Sequence, residues 1–190
     1  RPLLFRLEAE RAHNLAIDAS AICNDLSFVQ DALSVYSSVH DDRLVSEVSG
    51  IRFENSIGLA AGYDKSGRAV DTLAALGFGH IDVGSVSVDP SDGNPAPRLF
   101  RLPADRAVIV HYGLQNDGAH IIQKRLSQRK TTVPVSVNIV KTNRGINAPP
   151  EATDDIIDEY IRAVKTVKVS ADFLTLNLSC PNTEDGRDFF

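Results

Sequence analysis

From about residue 57 onward, short apolar runs rich in β-branched residues alternate with amphipathic stretches of helical period. This alternation restricts the fold more than any other feature of the sequence. The runs cover residues 57–59, 80–86, 133–140 and 173–178. Between them lie a helix opened by Ser66 or Gly67 and carrying Val70, Leu73, Ala74 and Leu76, a second over 121–128, and a third over 154–167 with Ile157, Tyr160, Ile161 and Val164 on one face. Gly77 suits the C-terminal cap of the first helix and Thr153 the N-cap of the third. Strands that alternate with helices imply parallel βα units. In βα barrels the chemistry sits on loops at the carboxyl ends of the strands.

Ahead of these units, residues 3–48 read as helical. Leu7, Leu15, Ala19 and Ile22 share one face, and Phe28, Leu33 and Tyr36 mark a second short helix. Gly50 ends the segment, so residues 1–49 form a helical segment and 50–190 the βα part. Residues 51–53 and 57–59 read as a tight strand pair. A polar, Pro- and Gly-containing excursion spans 87–105, a length usually either functional or disordered, and 98–102 within it suits a surface hairpin.

Hydrophobic residues make up 43% of the 190 and the net charge is −5. A chain with that charge lacks the basic face that nucleic acid requires. Cys23 and Cys180 are the two cysteines, which points to free thiols in a reducing compartment. No apolar run is long enough to cross a bilayer, and nothing calls for a metal. The chain contains no methionine, so an initiator and anything attached to it are expected upstream of Arg1.

Residues 177–183 (Asn-Leu-Ser-Cys-Pro-Asn-Thr) are the sharpest local signal. Amides both donate and accept, so Asn177 and Asn182 can read a planar ring bearing carbonyls and N–H groups. The Cys180 thiol can take a proton. The same residues also suit a strand-ending turn in which Asn182 and Thr183 satisfy backbone groups. Residues 60–65 (Ala-Ala-Gly-Tyr-Asp-Lys) remove bulk where a flat cofactor could lie against backbone, then supply one ammonium, Lys65. Close strand–helix packing with a solvated lysine is the competing account. Asn138 and Lys141 repeat the theme of amide and cation. His111 could be a base or merely a solvated loop residue, and Cys23 reads as packing.

Taken in order, residues 58–65, 77–79, 84–86, 93–103, 137–139 and 177–183 resemble the dihydroorotate dehydrogenases over essentially the whole chain. The 93–103 hairpin and the helical front resemble the quinone-linked, membrane-associated class. The resemblance implies a (β/α)₈ barrel of which this chain carries about the first four strands, preceded by a small helical domain where quinone enters. It implies FMN contacts from Ala61, Gly62, Ser85, Asn138 and Asn177. It further implies that Lys65, Asn177, Asn182 and Thr183 bind dihydroorotate or orotate, and that Cys180 is the catalytic base. The implied activity is FMN-dependent oxidation of dihydroorotate in de novo UMP biosynthesis, with electrons passed to a quinone. It would take place at the cytoplasmic face of a membrane, or at the mitochondrial inner membrane in a eukaryote.

The chain departs from the family pattern in four places. Cys stands at position 180 where the quinone class uses Ser; a thiol is the more acidic group, so proton abstraction survives with a shifted pH profile. Val110, His111 and Leu114 replace a substrate-binding Asn, an Arg and a Phe, and the lost amide is expected to cost about 1–3 kcal/mol. Glu54 stands where a basic residue is expected at the quinone entrance. The strands that would hold the FMN phosphate and a second flavin-facing lysine lie beyond Phe190, so this stretch alone is expected to be inactive. Val110, Leu114 and Glu54 also keep open a sister flavoenzyme acting on another small cyclic substrate, and the missing strands a non-catalytic barrel.

Overall fold

The computed structural model describes residues 4–145, 147–149 and 151–180. Its centre is a four-stranded parallel sheet ordered β3 (Gly58–Leu59), β4 (His80–Val86), β7 (Val135–Ile139), β8 (Phe173–Leu176). Each strand lies beside its predecessor in the sheet, as winding in one direction around a barrel requires; a doubly wound sheet would reverse its order.

Side chains alternate across each strand. Ile81 and Val83, Val135, Val137 and Ile139 point to one face and are fully buried. There they meet Val70 and Leu73 of α3 (Val70–Ala74), Ile122 and Leu126 of α4 (Ala119–Leu126), and Ala163 and Val167 of α5 (Thr153–Val167). The opposite face carries Asp82, Ser136 and Phe173 in one register row and Gly84, Asn138 and Thr175 in the next. The face that would line a barrel is therefore polar toward the carboxyl ends of its strands.

The helical front is shorter than the sequence pattern suggests. α1 (Ala9–Cys23) and α2 (Ser27–Ser37) are present, but Ser46–Val48 is a strand, β1, paired antiparallel with β2 (Ile51–Phe53). Residues 51–53 therefore pair backward, while Gly58–Leu59 joins the parallel sheet. Glu8, not an apolar residue, starts α1, its carboxylate accepting from the Glu10 and Arg11 amides. The Leu7, Leu15, Ala19 and Ile22 face is exposed; the helix docks instead through Ala9, Ala12, Ile17 and the Glu10 side chain.

The first interstrand helix is a single short turn at 70–74, not one opening at Ser66. Asp64 ends the loop before it by accepting from the Arg68 and Ala69 amides. Thr153 is the first residue of α5, whose cap Ala152 offers no side-chain bond. The hairpin expected at 98–102 is longer than read: β5 (Leu99–Leu102) pairs with β6 (Ala107–Val110).

Candidate active site

A cavity of about 810 Å³ opens at the carboxyl ends of the parallel strands. Ala61, Gly62 and Lys65 from the loop after β3, Ser85 from β4, Asn138 from β7, and Asn177 and Cys180 beyond β8 all line it. Lys65 and Cys180, 115 residues apart in sequence, thus share one space. Asn182 and Thr183 lie outside the described residues. Lys141, grouped with Asn138 by sequence, turns away: its ammonium sits 3.3 Å from Glu151, and both side chains are largely buried. His111 is exposed.

One wall consists of amides and a hydroxyl. Ser85 Oγ donates to Asn138 Oδ1 at 2.7 Å. Asn177 Nδ2 donates to the same oxygen at 3.2 Å. Asn177 Oδ1 accepts from the Ser179 amide at 3.2 Å, and Tyr160 Oη donates to the Asn177 carbonyl at 2.7 Å. Below them Asp82 accepts from Ser136 Oγ, and the Asn138 side chain and the Ala61 amide lie near its carboxylate. Burial pushes the Asp82 carboxyl above the usual carboxylate range, and those neighbours oppose the shift.

The facing wall is cationic and aromatic. Lys65 Nζ lies 3.3 Å from His13 Nε2 of α1 and 3.9 Å from the Tyr112 ring centroid. Desolvation lowers the Lys65 ammonium to about 8. Desolvation and the nearby lysine likewise lower His13, so the neutral imidazole accepts from the ammonium. Burial, with Glu10 next, raises Tyr112 to about 12, and its hydroxyl is buried without a protein partner. At Gly62 the lining is open backbone: a Cβ built there, at φ +104°, would meet nothing within 4 Å.

A partly buried ion pair fixes α1 to this wall. Arg98 meets Glu10 at 2.8 Å and also donates to the Asp92 and Asn94 carbonyls. The segment after β6 is held by amides: Asn94 donates to the His111 carbonyl and Asn143 to the Gly113 carbonyl. They brace Leu114 at φ +63°, a strained setting for a residue with a Cβ. Val110 and Leu114, two of the departures from the family pattern, line the cavity. Glu54 is exposed, pairs with Arg52 at 2.7 Å and lines no described cavity.

The family profile for dihydroorotate dehydrogenase matches residues 43–190. The chain belongs to the dihydroorotate dehydrogenase family. A relative from Mycobacterium marinum, named dihydroorotate dehydrogenase (quinone), is 42% identical over 99% of this chain and 51% of its own length. One of the same name from Haloarcula marismortui is also 42% identical, over 97% and 51%. The chain therefore spans about half the length of the curated relatives it matches. A crystal structure of DHODH from Eimeria tenella in complex with ferulenol superposes at a TM-score of 0.67 and 32% identity, covering 93% of this chain and 46% of that one. The ligand-free enzyme from the same organism gives 0.66 and 29%, over 86% and 48%. The four parallel strands are thus part of a TIM barrel of the dihydroorotate dehydrogenase type.

His13, Asp82, Tyr112 and Gln115 also line the cavity, although the sequence does not single them out. Asp82 had a signal, a carboxylate between Ile81 and Val83 in an apolar strand. His13 had none, because its partner Lys65 lies 52 residues away.

Proposed function

We propose that the protein oxidises dihydroorotate to orotate with FMN in de novo pyrimidine biosynthesis and passes the electrons to a quinone. The observation that carries this reading is the common cavity lined by Lys65, Cys180 and the Ser85–Asn138–Asn177 cluster. The residues present fit a flavin: open, bare backbone at Gly62 beside Ala61 offers a flat surface, and the amide wall offers polar groups to a ring edge.

In this reading Lys65 neutralises the substrate carboxylate, and its buried position makes that charge count. Cys180 takes the proton from ring carbon 5 as the C–H bond breaks. The hydride on carbon 6 leaves with its electron pair, closing the ring double bond; the flavin supplies the acceptor. Asn177, with Asn182 and Thr183 beyond the described residues, orients the ring, and the protein's contribution is mainly this alignment.

A second cavity of about 440 Å³ supports the quinone reading. It lies between α1 and the β5–β6 hairpin and is lined largely by Ala9, Ala12, Ala16, Leu99 and Val108; His13 and Leu99 border both cavities. Its cation is Arg101, stacked over Phe5 at 4.9 Å, and Glu54 is not among its lining residues. No described helix is long and apolar enough to cross a membrane. The exposed Leu15, Ile22, Phe28, Val35 and Tyr36 suit peripheral contact instead, at the cytoplasmic face or, in a eukaryote, the mitochondrial inner membrane.

The test is dihydroorotate-dependent dye reduction by the protein extended to its relatives' full length; absence of reduction with FMN bound contradicts the reading. Val110 and Leu114 on the cavity wall favour one alternative, a sister flavoenzyme acting on a different small cyclic substrate. Tight orotate binding that perturbs the flavin spectrum eliminates it.

A further inference from the structure

The segment after β6 turns at the cavity through Gly113 and Leu114, successive residues in the left-handed region at φ +71° and +63°. The first position requires glycine, because a Cβ there would come within 2.4 Å of Asn94 Oδ1. At the second a side chain is costly, yet Leu114 lines the cavity beside Val110 and Tyr112. Bonds from outside the turn must hold it there. The carbonyls of residues 111–114 all accept from protein donors: His111 from Asn94 Nδ2 at 3.1 Å, Tyr112 from the Asn94 amide at 2.9 Å, Gly113 from Asn143 Nδ2 at 2.7 Å and Leu114 from Asn116 Nδ2 at 2.9 Å.

Asn94 and Asn116 belong to the same excursion between β4 and α4, whereas Asn143 reaches the turn from the loop after β7. That loop is itself well held. Asn143 Oδ1 accepts from the Gly145 amide at 2.9 Å, and the Asn143 carbonyl accepts from Ser91 Oγ at 2.8 Å. Glu159 of α5, 3% exposed, accepts from the Thr142 amide at 2.8 Å and from Arg144. Arg144 also meets Glu151 at 2.8 Å. Both neighbours of Asn143 are therefore tied to α5 or to the stretch leading into it, and Nδ2 is offered to Gly113 from a fixed support.

We propose that Asn143 is a positioning residue that clamps the Gly113–Leu114 turn and thereby fixes the cavity wall against which the substrate ring is seated. It touches neither the ring nor the flavin. Without its N–H the Gly113 carbonyl loses its partner, and Leu114 is free to leave the left-handed region and carry its side chain off the wall. The Ser85–Asn138–Asn177 cluster has bonds of its own, so the loss falls on the substrate and spares the flavin.

The proposal rests on the dihydroorotate reading, and the experiment separates the two. In the full-length, FMN-loaded enzyme, amide hydrogen exchange over residues 107–118, orotate affinity and dye-reduction kinetics are measured for wild type and Asn143→Asp. The aspartate keeps the oxygen that faces the Gly145 amide but cannot donate to Gly113. Exchange in the segment is expected to quicken by about tenfold. Orotate affinity should fall and the KM for dihydroorotate rise by about tenfold, with kcat and FMN affinity changing by less than about twofold. In a Leu114→Gly background Asn143→Asp should cost less, because glycine keeps a positive φ unaided. If Asn143→Asp does not fold, Asn143→Ala decides by the same readouts. Unchanged exchange and orotate affinity would overturn the proposal. So would a parallel loss of FMN and orotate, or the same cost in the Leu114→Gly background. A wild type that binds no orotate would overturn the dihydroorotate reading instead, with hydrogen exchange still deciding the clamp.

Discussion

The two ends of the parallel sheet are built from opposite chemistry. At the amino ends, Phe53 of the β1–β2 hairpin, His80 of β4 and Phe173 of β8 stack edge to face or tilted, with centroids 5.8–6.2 Å apart. Gly58 lies against the His80 ring so closely that any Cβ there would collide with it. At the carboxyl ends stand amides, a thiol, a desolvated lysine and a tyrosine hydroxyl without a partner. One end is closed by packed rings, with His80 Nδ1 buried among them without a hydrogen-bond partner. The other holds polar groups at an electrostatic cost that a bound ligand would offset. Stability and ligand chemistry are thus separated along the same four strands, as barrel architecture permits.

Substitutions can break that separation or sharpen it. The largest effect is expected at Cys180: Cys180→Ala should lower turnover roughly a hundred- to ten-thousandfold without moving the unfolding midpoint, whereas Cys180→Ser keeps part of the activity. Equal rates for the two variants would show that Cys180 is not the base. At the opposite end, Phe53→Ala should cost about 2 kcal/mol in chemical denaturation and leave KM unchanged; a KM shift would mean that the two ends communicate.

Lys65→Ala should raise the KM for dihydroorotate about tenfold or more, with a smaller change in kcat. An unchanged KM would remove Lys65 from substrate binding. The smallest effect is on pH. The Lys65 ammonium is lowered to about 8, so the charge that holds a carboxylate is complete below that pH and is lost above it. Orotate affinity should therefore weaken as pH rises through about 8, and Lys65→Ala should abolish that limb of the profile.

The sequence shows the sheet well because its strands obey local rules: β-branched runs for the buried face and helical period for the layer behind. It conceals features that arise from pairing at a distance. Ser46–Val48 is exposed and carries Glu47, so nothing local separates it from the helical front, and only the Ser49–Gly50 turn back onto Ile51–Phe53 makes it a strand. Ala107–Val110 is hidden for a similar reason, since its partner lies across a turn at 103–106. The loop residues of the site could be read because they stand next to strand ends. His13 and Tyr112 could not, since their places in the cavity depend on α1 docking through the Arg98–Glu10 pair. The outward apolar face of α1 shows the same limit: periodicity locates a stripe but not which side of it is covered.

The central claim is that Lys65 and Cys180 address one ligand, and thiol alkylation tests it most directly. In the flavin-loaded enzyme, orotate should slow iodoacetamide modification of Cys180, Lys65→Ala should remove that protection at the same orotate concentration, and Cys23 on α1 should react equally throughout. Alkylation of Cys180 at one rate with and without saturating orotate would contradict the account.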